Sequence, residues 1–281
     1  MQAIPTRPLG RTGVDVTIFG LGGEGVLRTQ GRTAEARAVI EKALEVGVNY
    51  FDSARAYADS ERYYGASLNG SRKNIFLTSK AFERTRKGAM AQLDQTLTNM
   101  RTDYLDLWQM HDMRDLSEVD EVTDPSGALE AFRTAREQGK VRFAGVTGHY
   151  DPTVLSRFLD IFDFDTVLMP VNPTEVHYNS FLNSTLQKAA DKGMGIIAMK
   201  VPARGYLLRA GVVKTVEPLI RYALSYPIST VIIGCDTPEQ VEENARAAIA
   251  FSQMPEDEMR ALETACQPFV EYGQFYKKGM H

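Results

Sequence analysis

The chain has 281 residues, a formal net charge of −4 and a pI near 5.7, with no basic stretch, which argues against nucleic acid as a partner. A hydrophobic content of 43% is enough for a sizeable core, and a barrel of strands and helices occupies about 250 residues as one domain. Two cysteines, Cys235 and Cys266, make neither a disulfide framework nor a metal site; MQAIPTRPLG holds no apolar leader and no run reaches roughly 18 apolar residues, so the expected location is the cytoplasm, away from membranes.

Residues 6–16 (RPLGRTGVDV with the preceding threonine) contain an Arg-Thr-Gly turn and are predicted to form a small hairpin plugging the bottom of a barrel. Apolar, β-branched runs follow at 15–20, 48–52, 75–79, 104–110, 141–147, 165–171, 195–199 and 229–234. Between them lie helical stretches at 33–46, 85–100, 124–138, 180–193, 215–225 and 237–250. In the first, Ala36, Val39, Ile40, Ala43 and Leu44 share one face and Gly47 marks the stop. Strands separated by helices of this length pair in parallel with right-handed crossovers. Eight regular units favour a closed barrel over an open doubly wound sheet. The expected fold class is α/β: a (β/α)8 TIM barrel with an N-terminal β-hairpin and a C-terminal extra helix after Met254, residues 1–281 forming a single domain.

Four polar residues stand at or just after strand ends: Asp52 ends NYFD, Tyr57 follows five residues later, Lys80 ends IFLTSK and His111 ends DLWQMH. Each alone has an ordinary reading: a turn cap, a surface aromatic, a solvated flank and a structural histidine. In a parallel barrel, however, the carboxyl ends of the strands form the rim where chemistry is done, and there the four converge. A phenol is a reluctant acid near neutral pH, and a nearby ammonium stabilises its phenolate and lowers its pKa. Asp52 would hold Lys80, and His111 would orient a substrate oxygen. Such a site protonates an oxygen that gains negative charge, as when hydride reduces a carbonyl; no side chain supplies hydride, so a cofactor is required.

With these residues in place, the chain resembles the aldo-keto reductase superfamily over about residues 7–250. LGRTGVDVTIFGLGG resembles the family's opening, and NYFDSARAYADSERYYG its second-strand signature. IFLTSK and DLWQMHD supply the lysine and histidine, GKVRFAGVTGH is similar to the fifth-strand segment, and MKVPARG and IIGCDTPEQVEEN to the two cofactor segments. The resemblance implies NAD(P)H-dependent reduction of a small aldehyde or ketone, with Tyr57 as general acid, tuned by Lys80 and Asp52, and His111 orienting the carbonyl.

It also implies that Gly234, Cys235, Asp236, Thr237 and Gln240 surround the adenosine ribose and its 2′ position, and that Glu243 and Asn244 meet adenine. Thr237 and Pro238 open a helix whose N–H groups suit phosphate. Glycines 20–25 (GLGGEG) are read as a tight rim loop, not a Rossmann fingerprint. Gln240 stands where many members have arginine, and Asp236 adds a negative charge; Lys200 or Arg204 is the substitute cation, so NADPH is expected, with NADH as the other candidate. Met199 stands where many members stack a tyrosine on nicotinamide. Thr147-Gly148-His149 replaces a Ser-Asn pair that holds the carboxamide, which leaves Thr147 one hydroxyl contact and His149 free to line the pocket. Leu168 replaces a glutamine, with Asn172 or Glu175 as compensating groups. These departures sustain a second hypothesis, a dinucleotide-binding regulatory subunit with little turnover. The aromatic tail, Phe269, Tyr272, Phe275 and Tyr276, either covers the pocket, frays or meets another subunit.

Overall fold

The computed structural model describes residues 2–68, 70–277 and 279. Two short strands, β1 (Thr6–Pro8) and β2 (Asp15–Thr17), pair antiparallel. Eight more close into a parallel barrel: β3 (Phe19–Gly25), β4 (Tyr50–Asp52), β5 (Phe76–Ala81), β6 (Leu105–Met110), β7 (Val141–Thr147), β8 (Thr166–Pro170), β9 (Gly195–Met199) and β10 (Thr230–Cys235). They follow one another around the ring, and β10 returns to β3. Among the described residues no helix is long and apolar enough to cross a membrane.

Alternation along the strands divides the core in two. One set of side chains fills the barrel: Tyr50, Phe76, Leu107, Leu168, Ile197 and Ile232, with Leu9 and Val16 of the hairpin packed against them. The hairpin therefore plugs the bottom, as the Arg-Thr-Gly turn predicts. The other set faces the helices; Trp108 of β6 stacks on Phe132 of the helix Ala128–Glu137 with centroids 4.1 Å apart. The helix Thr33–Glu45 buries Ala36, Val39, Ile40 and Ala43, and Gly47 ends the turn after it with a φ of 85°.

Two expectations need correction. The first predicted strand, 15–20, is two strands: its start belongs to the hairpin, and the barrel strand runs on through Gly25. The glycines at 20–25 are thus strand, not a tight rim loop. They are there because backbone and ring approach closely: a Cβ on Gly20 would lie 2.9 Å from the Tyr50 ring, and one on Gly23 2.9 Å from the Tyr57 ring. The chain-order reading also omits the helix Pro152–Ile161, although Asp151 caps it by accepting from the Thr153 N–H and Pro152 opens its first turn.

The plug is held at close range. Gly10 has a φ of 52°, and a Cβ there would sit 2.1 Å from the Gly195 nitrogen. Gly10→Ala should lower the unfolding free energy by at least about 2 kcal/mol, through strain and overlap together. Urea denaturation checks this; an unchanged midpoint would show that the hairpin is not seated on the barrel floor.

Candidate active site

Asp52, Lys80 and His111 reach the rim from β4, β5 and the residue after β6, and Tyr57 from the loop after β4. Registry sets their heights: Asp52 pairs with Thr78, and Lys80, two residues on, pairs with Gln109. Lys80 Nζ lies 2.5 Å from Asp52 Oδ2 and donates also to the Ser53 carbonyl at 2.7 Å. Thr78 and Gln109 donate to Asp52 Oδ1 at 2.7 and 3.3 Å. Both charged side chains are buried, at 1% and 2% exposure, so pairing is obligatory. Burial pushes Lys80 below its ordinary pKa against the pull of Asp52.

Tyr57 is held between two cations: Lys80 Nζ and the Arg28 guanidinium each lie 5.0 Å from its ring centroid. His111 meets the ring edge-on, with centroids 5.7 Å apart. The Tyr57 ring is only half-buried by surface area, yet the protein packed around its phenol, with Asp52 and Glu24, raises its pKa well above 10. The expectation that Lys80 lowers it is not met: burial is the largest cause, Asp52 and Glu24 add to it, and Arg28 is the cation that pulls the other way. The phenol therefore keeps its proton at neutral pH. Burial, reinforced by Lys80 and His149, holds His111 well below the usual imidazole range, and burial lowers His149 to about 4. Both imidazoles are neutral at pH 7.

Two clefts meet at Tyr57. One, of about 390 Å³, is lined by Tyr57, Lys80, His111, Thr147, His149 and Tyr276, among others. The other, of about 410 Å³, runs from Tyr57 past Met199, Lys200 and Arg204 to Gly234, Asp236, Gln240, Glu243 and Asn244. Of the cofactor residues expected from the sequence, these eight line the long cleft. Thr147 lines the other, where its Oγ1 accepts from the Asp112 N–H at 2.8 Å. Cys235 is buried beside Asn244, which donates to its Sγ at 3.3 Å. Thr237 caps the helix Pro238–Ile249, and Gln240 is committed locally, its Oε1 accepting from the Asp236 N–H at 2.6 Å.

Several participants were not anticipated. Glu24, at the end of β3, lines both clefts and gathers Arg28 at 2.9 Å, Lys200 at 3.3 Å and Arg204 at 3.6 Å. Burial works to raise its carboxyl, but the three cations outweigh this and hold it below the ordinary range. Lys200, Ala203 and Arg204 have φ of 59°, 46° and 54°, a left-handed run of side-chain-bearing residues. Arg209 also lines the long cleft. Glu24 and Arg28 become legible only once β3 is drawn to its full length.

Asn172 and Glu175 do not serve as the compensating carboxamide contacts. Asn172 Oδ1 accepts from Thr174, and its Nδ2 donates to Tyr276 Oη at 3.0 Å. Glu175 accepts from Tyr276 Oη at 2.6 Å and from Lys277 Nζ at 2.7 Å, and both members of that ion pair are fully buried. Lys277 also donates to the carbonyls of Tyr178 and Asn179. The tail is thus fastened down, with Phe275 and Tyr276 in the wall of the Tyr57 pocket.

The dinucleotide implied by the sequence fits the long cleft in chemistry: cations in its middle, amide and carboxylate groups beside a helix start at its far end, and the phenol at the near end. The sequence model of the Aldo/keto reductase family matches residues 18–213. L-galactose dehydrogenase of Arabidopsis thaliana is 25% identical, covering 95% of this chain and 96% of its own. An uncharacterized oxidoreductase of Bacillus subtilis is 23% identical over 92% and 95%. Among solved structures, an aldo-keto reductase of Bacillus halodurans in its holo form superimposes with a TM-score of 0.77 at 21% identity, covering 93% of this chain and 96% of that one.

Two outcomes follow from the burial. His149 titrates at about 4 in the fold against about 6.5 free, so the unfolded chain takes up its proton first. The neutral ring's stability is full above pH 6.5 and is lost as pH falls toward 4, by on the order of 2–3 kcal/mol. Urea titrations across that range should show a smaller acid loss in His149→Phe than in wild type; parallel curves would refute the assignment. Lys277→Met, which strands Glu175, should cost about 3 kcal/mol and release amide protection over 270–277 in hydrogen exchange.

Proposed function

Because the chain belongs to the aldo/keto reductase family, we propose that it reduces an aldehyde or ketone to an alcohol with NADPH or NADH, using Tyr57 as the general acid. The observation that carries this reading is the meeting of the two clefts at Tyr57, beside His111 and above the Lys80–Asp52 pair.

A reduced nicotinamide supplies the hydride that no side chain can. Met199, Lys200, Arg204, Gly234, Asp236, Gln240, Glu243 and Asn244 would hold the dinucleotide, with Thr237 capping the helix Pro238–Ile249 and Cys235 buried beside Asn244. Neutral His111 donates to the carbonyl oxygen and sets its direction. As the carbonyl carbon takes hydride, Tyr57 gives its phenolic proton to that oxygen, completing the alcohol. Lys80, whose Nζ lies 5.0 Å from the centroid of the Tyr57 ring, stabilises the charge that develops on the phenol, while Asp52 keeps the lysine in place. Thr147 orients the loop bearing Asp112 instead of reaching far into the long cleft.

For the 2′-phosphate of NADPH the available cations are Lys200, Arg204 and Arg209, opposed by Asp236 and Glu243. Leu168 and Met199, which offer no hydrogen bond to a carboxamide, favour the second reading, a dinucleotide-binding regulatory subunit.

Intrinsic fluorescence titrated with NADPH and NADH, alongside reduction of 4-nitrobenzaldehyde, separates these readings. Tyr57→Phe should bind dinucleotide as wild type does and lose about 10²–10⁴-fold in kcat. Binding without turnover of any aldehyde in wild type favours the regulatory subunit. Absence of binding overturns both. Tighter NADH would mean that Asp236 and Glu243 outweigh the three cations.

A further inference from the structure

We propose that Arg55 and Glu61 are a positioning pair: they clasp the loop that carries Tyr57 and so fix where its phenol stands; this rests on the reductase reading above. Arg55 lies two residues before Tyr57 and Glu61 four residues after it, and their side chains pair, Arg55 Nη1 donating to Glu61 Oε2.

The loop has little else to hold it. Among the described residues, neither strand nor helix lies between Asp52 and Ser60. The chain first runs on beside β5, the Ser53 N–H donating to the Thr78 carbonyl and the Arg55 N–H to the Lys80 carbonyl, each at 3.1 Å. It then turns: the Tyr57 N–H donates to the Ala54 carbonyl at 2.9 Å, and the Ser60 N–H to the Tyr57 carbonyl at 2.8 Å. Ala58 is kept at a φ of 39°, a strain that persists only where the surroundings over-determine the backbone. Two side-chain closures do this. In one, Ser53 Oγ donates to Ser60 Oγ at 2.8 Å, both residues being buried. The other is Arg55 on Glu61.

Glu61 is anchored independently of the loop. It is 1% exposed. Its Oε1 accepts from Ser79 Oγ at 2.8 Å and from Thr96 Oγ1 at 2.7 Å, and its Oε2 from Asn99 Nδ2 at 2.9 Å. Thr96 and Asn99 belong to the helix Arg86–Met100, and Ser79 directly precedes Lys80 on β5, on the opposite face of the strand. Three neutral donors thus fix the carboxylate to the strand that bears the lysine and to the helix behind it. Arg55 supplies the countercharge and ties the Tyr57 loop to that fixed point. A general acid must stand about 2.6–3.2 Å from the oxygen it protonates, and a displacement of about 1 Å costs on the order of 10²-fold in rate. The groups assigned to the dinucleotide lie on β9, β10 and the segments after them, not on this loop. Releasing the clasp therefore slows the reaction and leaves dinucleotide affinity as it is.

The test is the rate of dinucleotide oxidation in a single turnover with 4-nitrobenzaldehyde, on the full chain. Arg55→Met should lower that rate about 10–100-fold with the dinucleotide Kd unchanged, and hydrogen exchange over 54–60 should quicken. Arg55→Lys, which restores a charged donor, should recover most of the rate. Because Arg55→Met strands a buried charge and can unfold the chain, Arg55→Met/Glu61→Gln, with neither clasp nor stranded charge, should show the same loss. Thr96→Val, which takes a donor from Glu61 on the helix side, should lower Tm and leave the rate near that of wild type. A wild-type rate in either clasp variant overturns the inference, as does a loss that Arg55→Lys fails to recover or that Thr96→Val reproduces. A wild type that binds dinucleotide and turns over no aldehyde removes the reductase reading, and this inference with it.

Discussion

The ion pair between Asp52 and Lys80 is the constraint around which the rim is organised. Removing two charges from water costs several kcal/mol per ion, and their attraction offsets that only when the remaining hydrogen-bonding capacity is filled. Here it is filled from three sides: Thr78 and Gln109 on the carboxylate, and the Ser53 carbonyl on the ammonium. These partners come from β5, β6 and the end of β4, so the pair is satisfied only if three neighbouring strands hold their register. A slip of one residue would turn Lys80 out of the barrel and leave Asp52 alone. The site's electrostatics and the barrel's registry are therefore one requirement.

The same pair explains a division of labour at Tyr57. The resting phenol is a well-protonated group, held so by burial first and by nearby carboxylates second. In the proposed reaction the ammonium acts only when negative charge appears on the phenol oxygen. A group that is inert toward the ground state and favourable toward the developing charge contributes to rate, not to binding. The two neutral imidazoles fit this arrangement, since neither adds a competing positive charge to the pocket.

How much of this was legible in the sequence depended on how local the signal was. Asp52, Lys80 and His111 are read from strand ends alone, because period-2 alternation and a parallel crossover topology put such residues on one rim. Glu24 and Arg28 were hidden because glycines usually signal turns; at 20, 22 and 23 they signal strands and a ring packed too closely for a side chain. Asn172 and Glu175 were assigned to the wrong partner for another reason. Their real partners, Tyr276 and Lys277, lie about a hundred residues away, and no periodicity announces a contact of that range. The direction of the Tyr57 shift was likewise illegible, since its largest cause is burial of the phenol by segments that only the fold brings together.

The loop after β9 has a consequence for anyone who would make this protein more robust. Lys200, Ala203 and Arg204 occupy backbone conformations that glycine accepts readily and that cost side-chain-bearing residues on the order of 1–3 kcal/mol each. A selection that rewards heat tolerance alone would drive all three positions toward glycine. At 203 little would be lost. At 200 and 204 the same improvement would erase two of the three cations gathered on Glu24 and leave Arg209 as the remaining cation of the long cleft named above. Hardiness and the positive charge of the cleft are thus opposed at two particular residues, and a campaign that tracked melting temperature alone would climb steadily toward a durable barrel stripped of both cations.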